Sequence, residues 1–388
     1  FDGKGTGVRE LDGNLSFPLG LSLYPFNLDF STNAPLAGNI ALDVNMSPLI
    51  QPHLGAGQTI NGLARANIAI SGILNSPALS GSGNISQARF EDEIRGIVLN
   101  DIQTNLTFDG KAVTVTSFSA QDNRNGILQG QARADLSDIA NPVLNGSFTA
   151  DSMHFPASNE IDAILNADIN LQTDNGLYLI TGSIIPENIT VTLPDRFNQS
   201  IPELNIIETE NPSPPFIQKF RLDMEFIADN QIFVRGWGLD AEMGGTLNIT
   251  GPATSPDIRG KLGIIRGRYE EFGRSFDITR ADLRFQGSVP PSPYLDILAE
   301  TDVGELIAKI GITGAAKDPK LSFSSSPSRP KDEILSYILF GENPSDISPF
   351  QAIQLANTLR RFTTGGGTSF DPLDKLRNVT GLDDLNVE

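Results

Sequence analysis

Alternation of apolar and polar residues recurs almost everywhere along this chain until about residue 325. Residues 220–226 place an apolar side chain at every second position, between arginine, aspartate and glutamate, and residues 189–193 alternate aliphatic residues with threonine. Successive side chains of a strand point to opposite faces, so the pattern predicts strands with one apolar and one polar face. No helical period interrupts the run, which disfavours a parallel sheet with helical crossovers. We also expect no helix before residue 325 that could cover the apolar faces.

A motif of Pro, any residue, an aliphatic, any residue and Gly punctuates the strands. It occurs at Pro77–Gly81, Pro142–Gly146 and Pro256–Gly260, with a decayed copy at Pro319–Phe323. Proline at the start of a strand does little harm to the ladder, and glycine marks a bend or a close approach of backbones. The irregular repetition predicts an elongated, solenoid-like curled sheet rather than a small closed barrel.

The composition excludes several classes of function. A net charge of −19 leaves no basic footprint for nucleic acid, and it disfavours electrostatic adhesion to anionic membrane surfaces. The absence of cysteine excludes disulfides and thiolate metal sites. No apolar run approaches the ~20 residues of a membrane span. Because the chain starts at Phe1 without a signal-type segment, we expect it to be part of a longer protein with any anchor upstream.

The sequence pattern changes after Ser325. Acidic residues followed by apolar residues at helical spacing predict a short amphipathic helix over residues 332–340, with Gly341 as its stop. A capping box at Ser348–Gln351 begins a second helix, and Asp371-Pro372 begins a third. All three helices are short and follow the last strand pattern.

These patterns predict two domains. Residues 1–329 form the β-domain with an apolar groove, and residues 330–388 form a C-terminal helical segment. Five prolines and little alternation in residues 194–215 predict a loop excursion from the β-domain. An array of 388 residues needs no single large core, because each repeat packs only on its neighbours.

No catalytic constellation is found, so we predict that the protein is not an enzyme and uses no metal or cofactor. His53 and His154 are isolated, and nucleophile elbows, phosphate-binding loops and zinc-ligand spacings are absent from the sequence. The stretch Asp122–Gly126 is closer to a hairpin turn than to a calcium loop. Arg266 and Arg268 suit a cross-strand charge ladder better than an anion-binding or catalytic site.

The apolar faces remain to be explained. The sheet can curl until its faces meet in a dry core, or it can stay open as a trough that holds something apolar. The chain has 22 Phe but only 5 Tyr and 1 Trp. Large rings without polar groups suit contact with hydrocarbon, and they suit a self-filled core as well.

From about Asn230 to its end the sequence resembles the C-terminal region of the TamB family, within the wider AsmA-like group. Residues 1–229 share the architecture with weaker motif agreement. The order of the matching blocks makes the resemblance specific. The blocks are Gly260–Tyr269, Phe276–Ile278, Phe285–Gly287, Gly314 with Pro319, Ser324–Pro327 and Glu333–Gly341.

This resemblance implies a β-taco, a long sheet folded lengthwise into a U with an apolar interior. It implies a periplasmic protein of the bacterial envelope, anchored in the inner membrane when complete, that meets a TamA-like Omp85-type barrel at the outer membrane. Family members are implicated in passive phospholipid transport and in outer-membrane protein and autotransporter assembly. By this resemblance we expect the residues 1–388 to lack the family's N-terminal anchor and its final strands, so that docking to the barrel by this part alone is not expected.

Three hypotheses follow: a lipid conduit, a scaffold or chaperone for outer-membrane protein assembly, and a structural β-solenoid with a closed core. The first implies phospholipid as the partner, with membrane contact mostly through parts outside this chain. We expect apolar residues spaced along residues 222–323 to line its groove. They are Leu222, Met224, Phe226, Leu247, Ile249, Phe276, Ile278, Leu283, Phe285, Ile297, Ile310, Ile312, Leu321 and Phe323.

Overall fold

The computed structural model describes most of the chain. The described residues are 2–5, 7–18, 20–23, 26–29, 33–94, 96–138, 141–156, 160–193, 217–236, 238–271, 273–316 and 318–363. The loop predicted at 194–215 and the helix predicted after Pro372 lie outside them.

The described residues are mostly strand. In chain order the strands are β1 (Asp2–Gly5), β2 (Val8–Ser16), β3 (Gly20–Leu23), β4 (Phe26–Asp29), β5 (Ala37–Asn45), β6 (Gln58–Ile73), β7 (Ser76–Asp92), β8 (Ile97–Gly110), β9 (Ala112–Gln121), β10 (Ile127–Asp135), β11 (Val143–Pro156), β12 (Ile161–Asp174), β13 (Leu177–Thr192), β14 (Phe220–Gly236), β15 (Leu239–Pro252), β16 (Asp257–Glu271), β17 (Arg274–Gln286), β18 (Tyr294–Val303), β19 (Leu306–Ala315) and β20 (Lys320–Ser326). The α-helices are α1 (Ser47–Ile50), α2 (Lys331–Phe340) and α3 (Pro349–Thr363), with short 3₁₀ turns at Gln51–His53 and Ile217–Lys219.

The chain divides into two compact units. Unit 1 comprises residues 1–189, 206–226 and 250–254, and unit 2 comprises residues 190–205, 227–249 and 255–388. In unit 1, strands β1, β2 and β5 to β12 form one antiparallel ladder in chain order, while β3 and β4 pair separately. In unit 2, β16 to β20 form an antiparallel ladder in the same manner. The predicted fold class, an all-β curled and open sheet of the taco type with short C-terminal helices, is confirmed.

The glycines of the repeated motif allow neighbouring backbones to approach. Gly81 and Gly260 have φ angles of +143° and +135°, a region that side-chain-bearing residues rarely adopt. A Cβ at Gly81 would lie 2.1 Å from the carbonyl oxygen of Asn67, and one at Gly260 would lie 2.3 Å from that of Thr246. Both contacts are with the backbone of an adjacent strand, which agrees with the predicted role of the motif.

The local signals for α2 and α3 agree with the structure. Gly341 ends α2 in the left-handed conformation and donates its N–H to the carbonyl of Tyr337. At the start of α3, Gln351 Oε1 accepts the N–H of Ser348 at 2.7 Å and Ser348 Oγ accepts the N–H of Gln351 at 3.4 Å. This reciprocal pair is the predicted capping box.

The expectation that no helix precedes residue 325 is wrong at α1. This helix has four residues, too few for a helical period to appear in the sequence. Its local signals are Pro48 in the first turn and Asn45, whose Oδ1 accepts the N–H of Ser47 at 3.1 Å. A helix therefore does cover part of a sheet face in the first unit.

Candidate functional site

A β-bulge in β17 brings two pairs of predicted groove residues onto one face. Phe276 and Ile278 occupy even positions and Leu283 and Phe285 occupy odd positions, so a regular strand would place the pairs on opposite faces. The pairing with β18 shifts between Ile278 and Arg280, which leaves Thr279 as the extra residue. Both pairs consequently lie on the same side of the sheet, called here the inner face.

Cross-strand pairing extends the inner face through β18, β19 and β20. Ile297 lies opposite Ala281 on one side and opposite Ile312 on the other, and Ile312 lies opposite Leu321. A parallel row joins Ile278, Ala299, Ile310 and Phe323. Opposite residues in a ladder share a face, so each row is a continuous apolar line across four strands.

The outer face of the same strands carries an ion-pair ladder. Asp282 accepts from Lys261 at 2.9 Å and from Arg284 at 3.3 Å, while Asp296 pairs with Arg280 at 3.0 Å. The hydrogen bond from Lys261, together with Arg284, holds the pKa of the Asp282 carboxyl below its ordinary value. The two faces therefore have opposite chemistry, as the sequence alternation predicts.

Helix α2 covers one part of the inner face. Ile334 and Ile338 are 1% and 2% exposed because they pack on the strand ends nearest the β18–β19 turn. We call this surface the seat, and its members are Tyr269, Phe276, Ala299, Leu306 and Ala308. Phe276 and Ala308 are completely buried there, and Ile278, Ile310 and Phe323 pack against its edge.

Polar contacts at its C-terminal end hold α2 on the seat. Arg274 of β17 donates from Nε to the carbonyl oxygen of Ile338 at 2.8 Å, which satisfies a terminal carbonyl and places a cation at the negative end of the helix. The turn between β18 and β19 also approaches closely, since a Cβ at Gly304 would lie 2.9 Å from the Tyr337 ring.

The inner face farther from α2 is apolar but only half-buried. We call this surface the track. Its seven members, all half-buried, are Leu262, Leu283, Phe285, Leu295, Ile297, Ile312 and Leu321. None of them belongs to the buried cluster beneath α2 or to the residues packed against it. Of the predicted groove residues of β17–β20, Phe276 thus lies in the seat, Ile278, Ile310 and Phe323 lie at its edge, and the other five lie on the half-buried track.

The predicted residues upstream also share single faces of their strands. In β14, Met224 is buried and Leu222 and Phe226 are half-buried. In β15, Leu247 and Ile249 are half-buried, and Asn248 between them is exposed. Leu247 contacts β16 beside Gly260, which is the cross-strand partner of Phe285.

Unit 1 contains a similar covered surface. Met46 and the adjoining Ile50 of α1 pack on a cluster that contains the buried Ala88, Ala120 and Ile102. Ala88 and Ala120 are 1% and 0% exposed. As at the seat of unit 2, fully buried alanines lie in the sheet beneath a short helical segment.

The polar groups singled out by the sequence have structural roles. The Asp122 carboxylate is buried and accepts the backbone N–H groups of Arg124 at 2.6 Å and Gly126 at 2.8 Å, as expected for a hairpin turn. It also accepts the backbone N–H of His154. The His154 ring pairs with Asp162; burial raises the pKa of this carboxyl, but His154 and Arg124 outweigh burial and lower it overall. The contacts of the His53 side chain lie outside the described part of the chain.

Arg266 takes part in a cross-strand ion pair, as predicted. Its partner is Glu242 of β15 rather than the nearby glutamates of β16. The pair borders a shallow, largely charged cavity of about 680 Å³, where Arg235 lies 5.5 Å above the Phe233 ring and 3.4 Å from Asp240. Arg268 lines the same cavity. These ion pairs between charged side chains are typical of a cross-strand charge ladder.

Within the described ranges, no group of three or more His, Cys, Asp or Glu side chains is placed to bind a metal. The helices of the same ranges include none with the length and apolarity needed to cross a bilayer. The inner face is therefore the feature that most distinguishes these strands.

Comparison with known proteins identifies a matching family and a similar protein from another bacterium. The family model described as the TamB C-terminal domain matches residues 116–388. The chain is also similar to "Translocation and assembly module subunit TamB" of Haemophilus influenzae, with 23% identity over 384 residues. That alignment covers 92% of this chain and 29% of the relative, so the chain spans less than a third of the relative's length.

Proposed function

The chain belongs to the TamB family, and from that premise we propose that it is a section of a passive conduit for phospholipid acyl chains in the bacterial periplasm. The observation that carries the proposal is the track. Its large apolar side chains are continuous across β16–β20, yet all of them are only half-buried and none belongs to the cluster beneath α2.

The track favours an open trough over a closed core. A self-filled core would bury these side chains as fully as α2 buries Phe276. Hydrocarbon on the track would remove the same apolar surface from water. Hiding a sixteen-carbon tail is worth roughly 13 kcal/mol at ~0.8 kcal/mol per methylene, which is the barrier that a continuous apolar path lowers. A path of this kind provides no direction of transport, so movement along it is passive.

A charge on the track tests the proposal. We expect Ile312→Glu to reduce phospholipid co-purifying with the 388-residue chain at least tenfold, because an ionised carboxylate beside an acyl chain has no polar partner. Native mass spectrometry and lipid extraction give the amount bound. The matched control is Thr313→Glu, which places the same charge on the next residue, between Asp296 and Lys320 on the outer face.

Two results would count against the conduit. If no lipid co-purifies with the wild-type protein, lipid is not the ligand of the track. Equal lipid in the Ile312 and Thr313 variants shows that the bound lipid lies elsewhere. Far-UV circular dichroism of each variant separates loss of lipid from loss of fold; an unfolded Ile312→Glu protein favours the closed core.

A second candidate function is scaffolding of outer-membrane protein assembly with a TamA-like Omp85-type barrel. It is favoured by the edge strand β20, which pairs with β19 and has no other partner among the described strands. An unpaired edge is a template for another chain's strand. The chain lacks cysteine, so Ser324→Cys in β20 and Ser275→Cys in the interior strand β17 supply single thiols for crosslinking. Crosslinks to barrel or client strands at position 324 alone support this function, and equal crosslinking at both positions contradicts it.

For the complete protein we propose anchorage in the inner membrane, with this chain in the periplasm. The family assignment supports a place in the bacterial envelope. Fusion of an alkaline-phosphatase reporter to this section in cells tests it, since the reporter is active only outside the cytoplasm.

A further inference from the structure

We infer that α2 is a fixed boundary that confines a single layer of extended acyl chain to the track and keeps it off the seat. The inference rests on the proposed function and adds to it which part of the inner face contacts lipid. It removes Phe276 and the edge residues Ile278, Ile310 and Phe323 from the predicted lipid contacts.

The seat is already occupied by the protein's own hydrocarbon. Ile334 and Ile338 fill the surface over Phe276, Ala299 and Ala308, leaving these side chains at most 7% exposed. An acyl chain could reach them only by displacing the helix, which would also break the hydrogen bond between Arg274 and the last turn. Side chains buried to this extent, together with a hydrogen-bonded C-terminal carbonyl on α2, are typical of a permanent core and not of a loosely packed lid.

The inward residues of β19 follow the same boundary, beginning with Leu306, a buried member of the seat. Ala308 lies under α2, Ile310 lies at the edge of the helix, and Ile312 lies on the track, all on one face. An alanine lets a helix approach the sheet, whereas a larger residue would hold it away. In unit 1, the buried Ala88 and Ala120 likewise share a cluster with Met46, and Ile50 of α1 packs against that cluster.

The dimensions of the track suit an extended acyl chain that runs across the strands. The track crosses β16 to β20, and four spacings of ~4.8 Å give a length of roughly 19 Å, close to that of a sixteen-carbon chain. Along the strands it is bounded on one side by α2. The predicted ligand is therefore a lipid tail lying perpendicular to the strands.

Photolabelling of the unmodified chain tests this boundary. The probe is a phosphatidylethanolamine with a diazirine in one palmitoyl tail, supplied in vesicles, and labelled residues are mapped by peptide mass spectrometry. We expect labels on Leu283, Ile297 and Ile312 to exceed those on Ala308 and Phe276 at least tenfold. The apolar Ile265, which is 55% exposed and outside the track, reports non-specific adsorption.

The outcomes separate this inference from the proposed function. Comparable labelling of track and seat, or labelling of Ile334, overturns the boundary and leaves the conduit intact. No labelling above the level of Ile265 overturns the proposed function itself. In a variant with Ile334→Asp and Ile338→Asp, we expect labels to extend onto Ala308 while the track stays labelled. A folded variant whose Ala308 remains unlabelled would contradict the role assigned to α2.

Discussion

Replacement of Gly260 by alanine tests whether the glycine of the repeated motif is required for the close approach of strands. Gly260 has a φ of +135°, and a Cβ there would lie 2.3 Å from Thr246 O and 3.0 Å from the Leu247 backbone. These neighbours are backbone atoms of a paired strand, which cannot rotate away as a side chain could. The substitution therefore combines an unfavourable backbone conformation with a steric overlap.

The cost can be worked from these two terms. Holding a non-glycine residue in a sparsely populated region costs roughly 1–3 kcal/mol, and overpacking adds about 1–3 kcal/mol. Gly263 in the same strand is the matched control, because a Cβ there meets nothing nearer than 3.7 Å and its φ lies outside the glycine region. Gly263→Ala should be neutral or stabilise by about 0.4–1 kcal/mol, since alanine restricts the unfolded chain. We expect the two variants to differ by roughly 2–7 kcal/mol.

Urea denaturation followed by far-UV circular dichroism measures the difference in the free energy of unfolding. Because two units need not unfold together, hydrogen exchange of the β15 and β16 amides assigns the loss to the strands beside Gly260. Gly260→Ala should lower the protection of these amides and Gly263→Ala should not. Equal stability of the two alanine variants, within about 1 kcal/mol, would refute the argument that the motif glycine is required by a close backbone contact.

Two further predictions concern β17. Phe276→Ala should lower the free energy of unfolding by about 3–5 kcal/mol, because it leaves a cavity in the core beneath α2. Phe285→Ala should cost less than half as much and should reduce lipid binding instead. Equal destabilisation of the two variants in urea, with lipid binding unchanged in both, would contradict the division into seat and track. Lys261 and Arg284 hold the pKa of Asp282 below its unfolded value, so its contribution to stability is present above about pH 4 and is lost as the pH falls through the folded pKa. Asp282→Asn should therefore lessen the decrease in urea midpoint between pH 6 and pH 3, and an unchanged decrease would show that the ladder does not stabilise the folded state.

The sequence predicts the elements of this fold wherever the signal is local. Period-two alternation identifies the strands because the burial of one face is imposed on every second residue. The capping box at Ser348–Gln351 and the stop at Gly341 are read from a few adjacent residues, and both agree with the structure. Helix α1 escapes detection because four residues do not complete enough turns to create a period. Its signals, an asparagine and a proline, also occur in ordinary turns.

The candidate site is predicted less completely, because its division depends on non-local contacts. Alternation alone places Phe276 and Phe285 on opposite faces, and only the bulge at Thr279 brings them together. No residue type marks that bulge. The sequence also cannot reveal that Ile334 covers Phe276, since the two are far apart along the chain and an amphipathic helix has many apolar surfaces to pack on.

Small inward residues are one sequence signal for the covered part of the apolar face, since Ala299 and Ala308 lie in the seat beside the large Tyr269, Phe276 and Leu306. A sheet face that receives a helix needs small side chains beneath the helix axis, because backbones that approach leave little room. A face that meets mobile hydrocarbon gains from large side chains, which present more surface to it and need no fixed partner. On β19 the inward residues are Leu306 and Ala308 in the seat, then Ile310 at its edge and Ile312 on the track. Ala308→Leu should therefore displace α2 and raise the hydrogen-exchange rate of the Ile334 backbone amide. Ile312→Leu should leave the exchange rates of the α2 amides unchanged. Unaltered exchange at Ile334 in a folded Ala308→Leu protein would show that alanine size does not determine where the helix lies.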